Sequence, residues 1–211
     1  EKIGGPLVEE WLRTISACLA RIRCGGMRVI ETRLPGCLVL EPKVFADERG
    51  FFYETWNKQV FAGLGLNLEF TQSNVSSSAR GVLRGLHYQW PKPQGKLVHV
   101  LEGEVYDVAV DIRRGSPTFG HWESVILSAD NKRQFWIPPG FAHGFLALSE
   151  RVLFSYLCTE MYDPECDASL RWDDAELAID WPVGKPLLSG KDAKAPFLCD
   201  IAPEKLPRVE A

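Results

Sequence analysis

From Met27 onward the chain is a succession of short β-type runs, over residues 29–32, 37–40, 51–56, 68–74, 82–89, 97–101, 105–112, 122–127, 134–137, 145–148 and 152–159, punctuated by Gly, Pro, Asn and Asp. Only 57–64 reads as a short internal helix. Many strands with punctuating turns and no alternating long helices predict an all-β antiparallel sandwich or barrel of the jelly-roll kind. After Asp163 the texture loosens into turns and a Pro-rich tail, expected to wrap that barrel.

The first 26 residues differ in texture. Leu7, Val8, Trp11, Leu12, Ile15, Leu19 and Ile22 recur at helical spacing, with Glu9 and Glu10 early and Arg21 and Arg23 late, as the helix dipole favours. An amphipathic helix over 7–23 is predicted, stopping at Gly25-Gly26. Glu9, Glu10 and Arg13 break the apolar stretch that a signal peptide needs. Residues 1–26 are therefore expected to be an extension without a catalytic part, and 27–211 the catalytic domain.

A content of 45% hydrophobic and 25% charged residues suits one soluble domain with a sizeable core. The formal charge of -4 argues against a nucleic-acid partner, which calls for a basic face. No apolar run reaches membrane-spanning length, so no membrane partner is expected. The cysteines form no CxxC pair and no metal-type spacing, which points to free thiols in a reducing cytoplasm.

The chemistry concentrates between Gly81 and Lys96. Period-two alternation gives His87 and Gln89 one face of a strand, and Lys96 opens the next run after a Pro-Gln-Gly turn. If those two strands are neighbours in one sheet, His87 and Lys96 can share a cavity, where a base and a cation suit carbanion chemistry. Arg84 falls on the opposite face from His87 by strict alternation, so sharing that cavity requires a bulge or bend, with Gly85 as its place.

Metal-binding β-barrels of the cupin type carry Gly, five residues, His-x-His, a later Glu, six residues and Gly, then Pro-x-Gly-x-x-His. Gly81 and His87 match, but Gln89 replaces the second His and Lys96 stands where Glu is expected; the second motif survives as Pro138-Pro139-Gly140-Phe141-Ala142-His143. An ammonium has no lone pair and repels a divalent cation, so no metal is expected.

Asp47-Glu48-Arg49-Gly50-Phe51-Phe52, Leu83-Arg84-Gly85-Leu86-His87-Tyr88-Gln89, Ser116-Pro117-Thr118-Phe119-Gly120, the run from Trp136 to Phe145, and Arg171-Trp172-Asp173-Asp174 stand in order along the chain. Together they resemble the dTDP-4-dehydrorhamnose 3,5-epimerase family, from about Met27 to about Pro196. The resemblance implies a cupin-type jelly-roll without metal or cofactor, typically a homodimer, acting on a dTDP-sugar in dTDP-L-rhamnose synthesis. It implies inversion of dTDP-4-dehydro-6-deoxy-D-glucose at C3 and C5. The alternatives are a single-centre epimerase or a non-catalytic sugar-nucleotide-binding cupin.

By the same resemblance His87 is the base and Asp192 its carboxylate partner. Tyr156 is the acid on the other face, and Lys96 stabilises the enolate oxygen. Arg49, Glu54, Gln72, Asn74 and Arg84 bind the nucleotide, and His143 lines the pocket. Asp167, where the family commonly has Glu, and Lys191, next to Asp192, complete the substrate contacts. Asp173 and Asp174 read as structural caps, Trp136 and Trp181 as packing, and His99 and His121 carry no matching role.

Overall fold

The computed structural model describes residues 23–24 and 26–209. The predicted N-terminal helix lies outside them, except that Arg23 stands in a strand: β1 (Arg23–Cys24) pairs antiparallel with β2 (Met27–Glu31). The order continues β3 (Leu38–Glu41), β4 (Phe45–Asp47), β5 (Gly50–Phe52), α1 (Lys58–Gly63), β6 (Gln72–Ala79), β7 (Leu83–Gln89), β8 (Lys96–Glu102) and β9 (Glu104–Asp111). It ends with β10 (Trp122–Ser128), β11 (Gln134–Ile137), β12 (Phe141–Ala147), β13 (Arg151–Cys158) and β14 (Asp167–Ser169). The predicted helix is present, capped by Asn57, whose side chain accepts from the backbone N–H groups of Gln59 and Val60.

Two antiparallel sheets face each other as a jelly-roll. One runs β1-β2-β3-β11-β8-β13-β6, the other β10-β9-β12-β7-β14. Val98, Phe135 and Phe154 from the first sheet meet Ala109, Phe141 and Phe145 from the second to form the central core. The outer face of the five-stranded sheet is also buried: Val108, Val110 and Leu146 lie under Leu177, Trp181, Leu198 and Ile201 of the tail. The tail thus wraps the barrel as the sequence predicts, while Phe61 of α1 helps cover the other sheet against Leu40, Leu97 and Trp136. Each such fully buried side chain contributes about 1.5–3 kcal/mol over exposure.

Three expectations change. The predicted strand at 51–56 is the second arm of a separate hairpin, β4-β5, which pairs with neither large sheet. The strand expected at 68–74 sits at Gln72–Ala79, and β14 has no counterpart in the sequence prediction. β7 and β8 are not neighbours: they belong to facing sheets, in which β12 lies between β7 and β9, and β13 between β6 and β8.

Candidate active site

The site begins with an irregularity in β7. His143 of β12 pairs with His87 and Phe145 with Arg84, so three residue steps on β7 oppose two on β12. Gly85 has φ 130°, and a Cβ there would lie 2.5 Å from the Gly144 Cα. Two glycines facing each other let the strands close over the extra residue, a β-bulge. Arg84 and His87 consequently line the same cavity, while Leu86 turns into the outer core.

That cavity, about 190 Å³, lies between the two sheets. Arg84, His87 and His143 come from the five-stranded sheet; Ser76, Lys96 and Tyr156 come from the seven-stranded one. An adjoining space of about 110 Å³ shares His87, Lys96 and Tyr156 and adds Gln72, Asn74 and Asp167. A larger groove of about 460 Å³, lined by Arg114, Phe119, Leu198 and Cys199, brings together no base and acid of this kind.

His87 Nε2 lies 2.6 Å from Asp192 Oδ1. Asp192 is buried at the start of a 3-10 turn, its N–H donating to Ser189 Oγ at 3.1 Å. Burial pushes its carboxyl up, but hydrogen bonds from His87, Ser189 and the Gly85 N–H outweigh this and hold it below the usual carboxylate range. The ionised carboxylate orients the imidazole and leaves its other ring nitrogen free.

A second pair stands beside it. His143 Nε2 is 2.9 Å from Asp107 Oδ2, and Asp107 is completely buried. Burial raises that carboxyl above its ordinary range, against the opposing pull of His143 and Lys96. Asp107 was absent from the residues singled out by sequence. An acidic side chain on the inward face of Val105, Asp107 and Ala109 is costly unless paired, and that was the available signal.

Lys96 makes no ion pair or side-chain hydrogen bond among the described residues. Burial lowers its pKa, while Cys158, Asp167 and Asp107 act in the other direction. Tyr156, on β13 between β8 and β6, has its phenol pKa raised by burial and by Cys158, against Arg84. The arrangement is an oriented imidazole on one wall, facing a phenol and an ammonium on the other. It suits removal of a proton next to a carbonyl, with return of a proton to the opposite face.

Arg84 Nε donates to Ser78 Oγ and Nη2 to the Ser77 carbonyl, both at 3.0 Å, with no carboxylate partner among the described residues. That leaves the cation open to an anion. Gln72 and Asn74 are linked by a 3.0 Å hydrogen bond, and Gln72 Oε1 also accepts from the Tyr162 N–H. Asp167 accepts from the Tyr162 hydroxyl at 3.2 Å and from Lys191 Nζ, so these two predicted contacts bind each other.

Arg49 and Glu54 are not brought to this cavity within the chain. Arg49 sits at the exposed turn of the β4-β5 hairpin and pairs with Asp47, because that hairpin stands outside both sheets. Glu54 accepts from Asn57 Nδ2 and lines a separate small cavity with Met27 and Phe52. Gln89, at the position of a metal-ligating His, instead ties down loops: Nε2 donates to the Lys92 and Met161 carbonyls, and Oε1 accepts from the Asp163 N–H. Asp174 is structural, accepting from the N–H groups of Glu176 and Leu198.

Comparison with known proteins gives a family model, dTDP-4-dehydrorhamnose 3,5-epimerase, matching residues 31–200. The dTDP-4-dehydrorhamnose 3,5-epimerase of Salmonella typhimurium is 55% identical over 175 residues, 82% of this chain and 96% of the relative. The crystal structure of a dTDP-6-deoxy-D-glucose-3,5-epimerase from Legionella pneumophila in complex with dTDP-4-keto-L-rhamnose superposes with a TM-score of 0.86 at 55% identity, covering 88% of this chain and 100% of that one. A 3'-monoepimerase from Streptomyces bikiniensis in complex with dTDP-quinovose is more distant, with TM-score 0.76 and 36% identity over 80% of this chain and 86% of its own. With most of its length matched by the family model and more than half its aligned residues shared with such relatives, the chain belongs to the dTDP-4-dehydrorhamnose 3,5-epimerase family.

Proposed function

We propose that the chain epimerises dTDP-4-dehydro-6-deoxy-D-glucose at C3 and C5, giving dTDP-4-dehydro-L-rhamnose in dTDP-L-rhamnose biosynthesis. The observation that carries this is the facing of the Asp192-held His87 by Tyr156 and Lys96 across one cavity. The hydrogens on C3 and C5 are both next to the C4 carbonyl. The free nitrogen of His87 takes one of them, the C–H electron pair becomes an enolate, and Lys96 stabilises the negative oxygen at C4. Tyr156 then gives a proton to the carbon from the other side, which inverts it. Arg84, Gln72 and Asn74 hold the nucleotide diphosphate end, with His143, Asp167 and Lys191 around the sugar. Residues 27–211 form the catalytic unit.

A homodimer belongs to this reading. Phe45, Phe51 and Phe52 of the β4-β5 hairpin are 54%, 62% and 66% exposed, an apolar surface that a second copy covers. The same pairing gives Arg49 and Glu54 a route to a nucleotide in the partner's cavity. A cytoplasmic setting fits the unpaired state of Cys37, Cys158, Cys166 and Cys199.

Incubation with the 4-keto sugar nucleotide in D2O tests the activity. Deuterium at both C3 and C5 with formation of the L-rhamno product is expected. Label at one carbon favours the single-centre chemistry of the Streptomyces bikiniensis relative, and binding without exchange defeats the catalytic reading.

A further inference from the structure

The inward face of β6 carries Gln72, Asn74, Ser76 and Ser78 at period two. Three of the four have partners. Gln72 is bonded to Asn74, Asn74 Nδ2 donates toward Cys158 Sγ at 3.9 Å, and Ser78 Oγ accepts from Arg84. Ser76 Oγ is buried and has no hydrogen-bond partner among the described residues. It lines the catalytic cavity beside Arg84 and Tyr156. A hydroxyl so placed costs folding free energy unless a ligand supplies its partner.

Its position along the strand narrows what that ligand atom is. Ser78 marks where Arg84 is anchored, and Asn74 pairs across the ladder with Tyr156. Ser76 stands between them, roughly 7 Å from either neighbour on its face at the usual strand rise. We propose that Ser76 is a further ligand-binding residue of this site, its hydroxyl donating a hydrogen bond to the phosphoryl group that bears the hexose. The inference rests on the epimerase reading, in which Arg84 takes the diphosphate and Tyr156 meets the sugar. A bond from this hydroxyl to an anionic oxygen is charge-assisted, and the Phe145 and Phe154 rings around it keep the local dielectric low.

Ser76→Ala removes the donor and little else. Full-length wild type and variant are titrated calorimetrically with thymidine monophosphate, dTDP and the unreactive dTDP-glucose, and the unliganded melting temperature is recorded. The expected result is a loss of about tenfold in affinity for both diphosphates and a change within about twofold for the monophosphate. The melting temperature stays level or rises, because an unpaired buried hydroxyl has gone. Unchanged dTDP affinity overturns the proposal, as does a loss shared by the monophosphate or one confined to dTDP-glucose. A wild type that binds none of the three overturns the epimerase reading and this one with it. A wild type that epimerises beside an Ala variant with normal dTDP affinity overturns Ser76 alone.

Discussion

His87 has one ring nitrogen committed to Asp192, so in the proposed reaction its other nitrogen carries the proton traffic. His87→Asn is expected to lower kcat/KM about 10²–10⁴-fold and to abolish solvent exchange at both carbons, with dTDP affinity by calorimetry retained. Tyr156→Phe separates the two half-reactions: deuterium exchange by NMR persists while inversion falls. The alkaline limit follows from two opposite shifts. Burial lowers the Lys96 pKa and raises that of Tyr156, so it moves loss of the ammonium charge to lower pH and ionisation of the phenol to higher pH. In the proposed mechanism the alkaline limb of kcat/KM is therefore expected to follow Lys96. Lys96→Arg should carry the limb to higher pH in a pH-rate profile even if the plateau falls, since guanidinium stays charged. His87 and Lys96 drew attention through motif and alternation, and Tyr156 through the family resemblance; all three line the cavity. Asp107 and Ser76 were not, because their meaning lies in having, or lacking, a partner that only the folded chain supplies.

Elements place those side chains, and the decisive one is the bulge in β7. An L side chain at Gly85 meets the Gly144 backbone at 2.5 Å and a φ of 130°, and nothing flexible stands there to yield. Gly85→Ala should cost about 1–3 kcal/mol in urea denaturation from backbone strain, and should weaken dTDP binding by turning Arg84 away from the cavity. Gly184→Ala, at a position with nothing within 4 Å and no left-handed φ, is the control that keeps dTDP affinity. The need for a bend near Gly85 was readable once the family resemblance gave Arg84 a place in the site, since alternation turns it away from His87. β6 was misplaced by several residues for a physical reason: its sequence Gln-Ser-Asn-Val-Ser-Ser-Ser-Ala lacks the apolar alternation of a half-buried strand. Its inner face lines the cavities between the sheets instead of a core, so hydrophobic periodicity carried no signal. β14 is three residues long and is held by its pairing with β7, which local propensity does not encode.

At the scale of the molecule, strand runs and turns foretold a jelly-roll, but not which sheet each strand would join. Period-two patterning reports a face and leaves the neighbour open, so His87 and Lys96 were expected side by side and instead look at each other across the sandwich. Facing walls are what inversion demands, since base and acid must reach opposite sides of one carbon. The same scale accounts for Arg49, which a single chain leaves at the tip of an exposed aromatic hairpin. If a second copy receives that hairpin, Arg49 serves the partner's site. Phe51→Glu with Phe52→Glu should then shift the protein from dimer to monomer in analytical ultracentrifugation. Mixing provides the sharper check. Arg49→Ala and His87→Asn proteins, each impaired alone, are unfolded together and refolded as mixed dimers. In a mixed dimer the intact His87 receives the intact Arg49 from the other copy, so the mixture recovers about a quarter of wild-type turnover by random pairing. Were Arg49 to act on its own chain, no mixed dimer would hold a complete site, and the activity would stay at the level of the two parents.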